Sequence, residues 1–547
     1  MSDSPRPSVY LETFGCQMNV LDSQLVTGQL RDLGYGFTDD WASADVVLFN
    51  TCSVREVAEN KVWSRIGLLG PHKKRHPHVV VGVIGCMAER DGEDLLRRHP
   101  QVNLLCGPAE LDRVPTLIDN ELRTSVHERS SWTRPGPQRP TAGRAALAGG
   151  RAAAAARRTQ TAEAAADTLE LVDLSRAFSA DDTSAAGKSA YVRITRGCNK
   201  LCTYCVVPHT RGEEVHRPPD AVIEECKRLA DAGVLEVTLL GQTVNHYHFD
   251  QAAAVSLGGV VQPQVGTVVS PNAGTGGPSP VFSPSTVSFA DLLHRIHEEV
   301  PGIRRLRFVT SYPRDFGDDI LQVIRDSPRI CRYLHLPVQS GSDRVLARMN
   351  RGYRVAQFRE LVERVRAFLP DAQMATDVIT GFPGETEADH EQTAELLAWS
   401  RFKNSFLFKY SPRPGTPAHD RLPDDVPAEV KRRRNRELVE LQTRMSAEVS
   451  AEQVGRRFEV FVEGVSARVA KAAARAQAGV GVGKVELGWE TRKAPPAAVE
   501  RVQVTQLSGR TGGDLIAVFE GPESLIGTLA EVEIESASAL TLRGRLV

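Results

Sequence analysis

A chain of 547 residues is too long for one hydrophobic core and predicts about three domains. Its 41% hydrophobic and 25% charged residues are ordinary for a globular protein, and a net charge of −1 excludes any general attraction to nucleic acid, leaving only local basic patches for such contacts. No run of roughly 18 apolar residues is present and Met1-Ser-Asp-Ser-Pro-Arg-Pro-Ser8 lacks an apolar signal region, so a membrane span and secretion are not expected; nine cysteines then indicate a reducing, cytoplasmic setting with metal or redox chemistry.

The first part of the chain alternates strands and helices. Val9 to Phe14 reads as a strand, followed by a helical pattern through Leu21, Leu25, Val26, Leu30 and Leu33. Asp45 to Asn50 and Val79 to Ile84 are further strands, so residues 7–125 are expected to form a doubly wound parallel α/β sheet. From 126 to 183 the composition shifts to Ala, Arg, Gly, Ser and Thr. The stretch from Ala145 to Ala166 has the makings of a loose helix, but its apolar content is nearly all alanine, so it reads as an interdomain linker.

Between Tyr191 and Tyr410 the alternation returns, with strands at Tyr191–Thr195, Glu236–Leu240, Leu306–Thr310, Tyr333–Pro337, Met374–Ile379 and Ser405–Tyr410. About six βα units predict an incomplete relative of the (β/α)₈ barrel over 184–450, a partial (β/α)₆ barrel. Residues 248–286, rich in Gly, Pro, Val and Ser, read as a disordered surface insertion. The tail, 451–547, carries β-like runs around Phe458, Leu515 and Ala530 with Gly-containing turns and predicts a small antiparallel barrel, interrupted by a long loop over 466–498.

Six cysteines fall into two sets of three. Cys16, Cys52 and Cys86 each follow directly on a predicted strand, and in an open α/β sheet those carboxyl ends line one edge where ligands bind. Three cysteines far apart in sequence are thereby brought together, which favours a second iron–sulfur cluster over ordinary buried cysteine. The compact set, Cys198, Cys202 and Cys205, follows another strand. An iron–sulfur cluster normally takes four cysteines, so a set of three leaves one iron open for a ligand. A zinc site closed by His209 is the competing reading of the residues alone. Cys106 ends a fourth apolar run, Cys226 shares a helical face with Val222 and Leu229, and Cys331 precedes a strand; all three read as core.

The run Arg196-Gly-Cys-Asn-Lys-Leu-Cys-Thr-Tyr-Cys-Val-Val-Pro-His-Thr-Arg-Gly-Glu-Glu214 resembles the signature of radical S-adenosylmethionine (SAM) enzymes, specifically the methylthiotransferases. Thr13–Asn19, Asn50–Glu56 and Gly85-Cys86 match the N-terminal domain of that family, and His335–Ser342, Gly381–Thr386 and Tyr410–Thr416 match its barrel. Gly521–Gly527 and Ser538–Leu542 resemble its RNA-binding TRAM barrel. In Gly241-Gln-Thr-Val-Asn245, Thr243 stands where the family usually has Asn, so no role is assigned to it.

The resemblance implies two [4Fe–4S] clusters. One, on Cys198, Cys202 and Cys205, binds SAM at its open iron and yields a 5′-deoxyadenosyl radical; the other, on Cys16, Cys52 and Cys86, handles sulfur. It also implies that Tyr204 packs on the adenine of SAM and that Gln242, Asn245, Gln339 and Ser340, at strand ends on the barrel's active face, bind SAM or substrate. Simple loop packing is the competing reading for each of these five. The Cys-Thr-Tyr-Cys-Val-Val-Pro and Asn-Thr-Cys-Ser-Val-Arg-Glu runs look most like the branch that methylthiolates N6-dimethylallyladenosine at position 37 of tRNA. The alternatives are threonylcarbamoyladenosine in tRNA or a ribosomal protein as substrate, and, in a different class, a non-catalytic RNA-binding iron–sulfur protein. An electron donor and a sulfur source are implied partners, and a monomer is expected. Lys431-Arg-Arg-Arg-Asn-Arg436 reads either as a phosphate-tracking run or as a solvated helix face.

Overall fold

The computed structural model describes residues 7–53, 56–130, 145–147, 188–257, 259–266, 285–478 and 504–547. The first body is built on strands β1 (Ser8–Phe14), β2 (Gly36–Phe37), β3 (Val46–Thr51), β4 (Val80–Gly85), β5 (Leu104–Cys106) and β6 (Ala145–Leu147). They form one sheet in the order β2-β1-β3-β4-β5-β6, parallel throughout. Every residue of β3 and β4 is buried, as a sheet covered on both faces requires. Val46 and Leu48 pack with Val26 and Leu30 of helix α1 (Gln17–Asp32), while Val47 and Phe49 pack with Val62 and Ile66 of α2 (Glu56–Arg75). Alternate side chains thus serve opposite helical layers, which makes the sheet doubly wound as expected.

β6 corrects the linker reading. Ala145–Leu147 adds a strand beside β5, because the free edge of a sheet offers unpaired backbone groups that a run of small residues satisfies as well as any other. The rest of the expected linker, apart from the end of the helix Val114–Ser130, lies outside the described residues.

The central body contains β7 (Ser189–Arg193), β8 (Thr195–Arg196), β9 (Val215–His216), β10 (Glu236–Leu240), β11 (His248–Asp250), β12 (Ser256–Leu257), β13 (Val260–Val261), β14 (Gln264–Val265), β15 (Thr286–Ser288), β16 (Arg305–Phe308), β17 (Tyr333–His335), β18 (Gln373–Thr380) and β19 (Asn404–Lys409). The parallel sets β7-β10-β16 and β17-β18-β19 are joined by a bridge between Leu306 and Ile330, giving a six-stranded partial barrel. The insertion is not simply disordered. β11 pairs with β15 and β14 pairs with β9, and the Asn199 side chain donates to the Gly266 carbonyl at 3.0 Å, so both ends of the 248–266 segment are tied to ordered strands and loops of the central body. Residues 267–284 lie outside the described residues.

β20 (Arg457–Val465), β21 (Val504–Thr511), β22 (Ile516–Pro522), β23 (Leu529–Ala537) and β24 (Leu542–Leu546) close the third body, a barrel in the order β20-β21-β22-β24-β23. Where a loop was expected after Val465, a helix runs from Ala467 to Ala478. Its alanine, lysine and arginine content favours helix, and the Ser466 hydroxyl accepts from the Val469 amide at its start. Residues 479–503 lie outside the described residues.

The third body stoppers the amino-terminal end of the partial barrel. Asp514, in the turn between β21 and β22, pairs with Lys403 at 2.9 Å and with Arg307 at 3.5 Å, while Arg307 also pairs with Glu236 at 2.7 Å and donates to the Thr511 carbonyl at 2.6 Å. This leaves the carboxyl-terminal end of the strands for the first body. Asp514→Ala strands the buried Lys403 ammonium, and the docking of β21 and β22 is expected to weaken by about 3–5 kcal/mol. Faster amide hydrogen exchange across residues 504–522 checks this, and unchanged protection there contradicts it.

Candidate active site

Cys16 caps the start of α1 after β1, Cys52 follows β3, and Cys86 opens the helix α3 (Cys86–Asp91) after β4. These three strands are neighbours, and the sheet changes direction of winding between β1 and β3, which is where such sheets bind ligands. The loops are locked by asparagines. Asn19 donates to Asn50 Oδ1 at 3.0 Å, Asn50 returns a bond to the Asn19 carbonyl at 2.9 Å, and the Cys16 thiol donates to Asn19 Oδ1 at 3.3 Å. Gly85 has φ +92°, and a Cβ there would lie 2.4 Å from Asn50 Oδ1, so only glycine lets Cys86 approach its two partners.

The second triad sits on the loop after β7 and β8. Gly197, at φ +78°, packs so closely that a Cβ would meet the Glu213 carbonyl oxygen at 1.9 Å. Leu201 adopts φ +50° without being glycine, held by Asn350 donating to its carbonyl at 3.0 Å and by the neighbouring Thr203 amide bonding the Met349 carbonyl at 3.0 Å. Such over-determined strain is a mark of functional loops. Arg351 is buried and donates to Cys202 Sγ at 3.3 Å, to the Tyr204 hydroxyl at 3.3 Å and to the Pro337 carbonyl at 2.7 Å, with its guanidinium 4.7 Å from the Tyr312 ring centre. Thr243 lies 3.9 Å from Cys198 Sγ and donates to Glu214 at 3.0 Å.

Arg211 joins the triads. It ends the short helix Val207–Thr210 that follows Cys205, yet it crosses to the first body, where it pairs with the fully buried Asp22 of α1 at 2.7 Å and places its charge near the Cys86 thiol. Met18, Leu21 and Leu25 of α1 pack against Leu240 around it. Burial opposes the charge of Arg211, but Asp22, Cys86 and Cys16 more than offset this and keep the guanidinium protonated. The Cys52 hydrogen bond and the Arg211 charge hold the Cys16 thiol down at about 6. Burial pushes Cys86 up. Burial and the nearby Glu214 push Cys198 up to about 12, and burial also raises Cys205.

All six thiols are free of disulfides, and each set of three lies on loops that follow the strands of its own body. Soft thiolates of this kind suit iron–sulfur chemistry, and a metal centre supplies the positive charge that buried thiols need to ionise. His209, the candidate fourth donor of a zinc site, is exposed.

The five accessory residues divide. Asn245 spends its side chain on the Tyr312 backbone, donating at 2.9 Å and accepting at 2.7 Å, and Ser340 accepts from the Ser342 amide at 3.2 Å; both brace loops. Gln339 is held at φ +74° by bonds to the Asp377 carbonyl and from the Ile379 amide. Tyr204 packs edge-on to Phe382 and bonds Arg351. Gln242 Oε1 is buried without a hydrogen-bond partner among the described residues, an acceptor awaiting a donor. Cys106, Cys226 and Cys331 are core, as expected. The basic run is largely committed internally: Lys431 pairs with Asp424, Arg433 with Glu387 and Glu437, and Arg434 with Glu385 and Glu387, leaving Arg432 and Arg436 exposed. Sequence reasoning missed Arg351, Asp22 and the linking role of Arg211. Only Arg211 lay within a quoted motif.

Residues 8–107 match the model of Uncharacterized protein family UPF0004, and residues 192–397 match that of the Radical SAM superfamily. The tRNA-2-methylthio-N(6)-dimethylallyladenosine synthase of Rhodopirellula baltica is 38% identical over 98% of this chain and 95% of its own length. The enzyme of the same name from Yersinia enterocolitica is 35% identical over 98% of this chain and 92% of its own. Among solved structures, the radical SAM methyltransferase TsrM from Kitasatospora setae aligns over 76% of this chain and 75% of its own, at 15% identity and a TM-score of 0.47. The two triads, the partial barrel and the full-length similarity agree: the chain belongs to the tRNA-2-methylthio-N(6)-dimethylallyladenosine synthase family of radical SAM methylthiotransferases.

Proposed function

We propose that this chain methylthiolates C2 of N6-dimethylallyladenosine at position 37 of tRNA, with a [4Fe–4S] cluster on Cys16, Cys52 and Cys86 and a second, SAM-binding cluster on Cys198, Cys202 and Cys205. The observation that carries the reading is Arg211, which follows one triad in sequence and pairs at 2.7 Å with the buried Asp22 of α1, the helix that Cys16 caps. When bound, these cofactors supply the radical, the methyl group and the sulfur; the protein supplies position, charge and exclusion of water. Arg351 places a donor at Cys202 Sγ of the barrel triad, Thr243 ties Glu214 beside Cys198, and Arg211 places a cation beside the other triad. Gln242 offers a buried acceptor close to Thr243 in the same loop.

The inner face of the partial barrel suits an unstacked base. Ser405 points outward and bonds Gln442 of the covering helix Ala428–Ala451, so Phe406 and Phe408 point to opposite faces from it, inward, and both are exposed. The Phe406 ring meets His335 edge-on at 5.9 Å, and His335 bonds Asp377 at 2.9 Å. Aromatic faces beside hydrogen-bonding groups are what a loop nucleotide swung out of its stack requires. The third body, resembling TRAM, supplies the tRNA contact in this reading. The chain works in the cytoplasm as a monomer with an external electron donor and sulfur source; among the described residues no helix is long and apolar enough to cross a membrane.

Nucleosides from tRNA of a deletion strain, separated and weighed by mass spectrometry, test the substrate. Loss of 2-methylthio-N6-dimethylallyladenosine with accumulation of its unthiolated precursor is expected, and an unchanged nucleoside profile contradicts the proposal. Arg351 should also set the potential of the barrel cluster, because a cation at a cluster sulfur favours the reduced, more negative state. Arg351→Gln is expected to lower the midpoint potential on the order of 60 mV, the one-electron equivalent of about 1.4 kcal/mol, with Arg351→Lys recovering part of it. Equal potentials in all three proteins contradict that role.

A further inference from the structure

A third cluster of donor side chains lies beside the barrel triad and contains no cysteine. His216 on β9, His246 in the turn Val244–His246 and His248 on β11 bring one ring nitrogen each within 4.8 Å of one another. His216 and His246 are buried, and His248 is half-buried. Their rings crowd together, with centroids 4.3 Å apart for His216 and His248 and 5.2 Å for His246 and His248.

The hydrogen bonds around the three rings show which atoms are spoken for. His246 Nδ1 is 2.8 Å from Glu214 Oε2, and His248 Nδ1 is 2.8 Å from the His246 carbonyl oxygen. His246 Nε2 and both ring nitrogens of His216 are buried with no hydrogen-bond partner among the described residues. A histidine that binds a metal through one nitrogen characteristically gives the other N–H to a carboxylate or a backbone carbonyl, which fixes its tautomer. His246 has the first arrangement and His248 the second. Buried polar atoms in folded proteins are otherwise paired, so the orphaned Nε2 of His246 beside a His216 ring with neither nitrogen bonded calls for an occupant.

We propose that His216, His246 and His248 bind one divalent zinc ion. Three imidazoles make a complete protein donor set for zinc with one position left for water, and the tetrahedron needs nitrogens about 3.3 Å apart, within reach of small side-chain rotations from the present spacing. The ion ties together three segments that backbone pairing holds only briefly: β9 is two residues long and β11 three. It thereby fastens the start of the insertion, whose β14 pairs with β9, over the loop bearing Cys198. Glu214 is shared between the sites, since its other oxygen accepts from Thr243 next to Cys198 Sγ.

Metal analysis of the full chain tests the proposal. After anaerobic iron–sulfur reconstitution, the wild type is expected to hold about one zinc in addition to about eight irons. A variant with Cys16, Cys52, Cys86, Cys198, Cys202 and Cys205 replaced by alanine removes adventitious zinc on the thiols; it should lose the iron and keep the zinc. His248→Ala, at the least buried of the three, should lose at least tenfold in zinc affinity while keeping its iron, with circular dichroism reporting on folding. Cobalt(II) loaded into the six-cysteine variant should give visible d–d bands without thiolate charge transfer, and His248→Ala should abolish them. Zinc that vanishes with the cysteines, or zinc and cobalt spectra unchanged in a folded His248→Ala protein, overturns the site.

Discussion

The ion pair between Asp22 and Arg211 is the constraint on which the active centre depends. Both side chains are almost completely buried, and each comes from a different body of the chain. Two charges withdrawn from water are expensive to bury, and their attraction offsets this only when geometry and further partners are good. Here the further partners are thiols: Cys16 and Cys86 lie close enough to Arg211 to share its charge. The pair therefore does more than join two domains. It makes correct docking of the α/β sheet on the barrel a condition for giving the N-terminal triad its cation. Breaking one partner of such a pair typically costs about 3–5 kcal/mol, enough to disrupt the interface on which two-cluster chemistry relies.

The remaining architecture surrounds that junction. The sheet presents three cysteines at its switch point, the barrel presents three more beyond its first strand, and the small barrel stoppers the opposite end through Asp514. Closing one end with a charged hairpin and the other with the α/β body leaves between them the inner face where Phe406, Phe408, His335 and Asp377 lie. One hairpin tip, Thr511 to Asp514, gathers contacts from Arg307 and Lys403, so the body resembling an RNA-binding module is held in fixed register with the inner face it serves.

What the sequence disclosed, and what it hid, follows from the range of each interaction. Strands such as Val46–Thr51 and Val80–Gly85 are continuous apolar runs and identify themselves, and the cysteine after each is then located by topology alone. The six strands of the partial barrel and three of the five strands of the closed barrel were legible for the same reason, whereas β21 and β24 were not, and the parallel pairing of β24 with β22 departs from the all-antiparallel barrel expected. Ala145–Leu147 was not, because an edge strand needs backbone pairing and little from its side chains. Arg351 was hidden for a different cause: it stands far along the chain from Cys202, in a run with no cysteine, and only the fold brings it to the sulfur. The histidines were dispersed between a motif, a turn and a segment that read as disordered, so nothing local marked them as a group. Asn245 and Ser340 show that residues at strand ends on an active face also have to hold the loops that form it.

Divided roles for the two triads on one tRNA base are the proposal that a single reaction mixture can decide. Reconstituted enzyme, SAM, a reductant, a sulfide source and tRNA carrying dimethylallyladenosine test it most directly, with deoxyadenosine and methylthiolated nucleoside measured in the same reaction. The wild type should form both. The variant lacking Cys16, Cys52 and Cys86 should still release deoxyadenosine but form no methylthio product, and the variant lacking Cys198, Cys202 and Cys205 should form neither. Methylthiolated nucleoside from either variant would contradict the account.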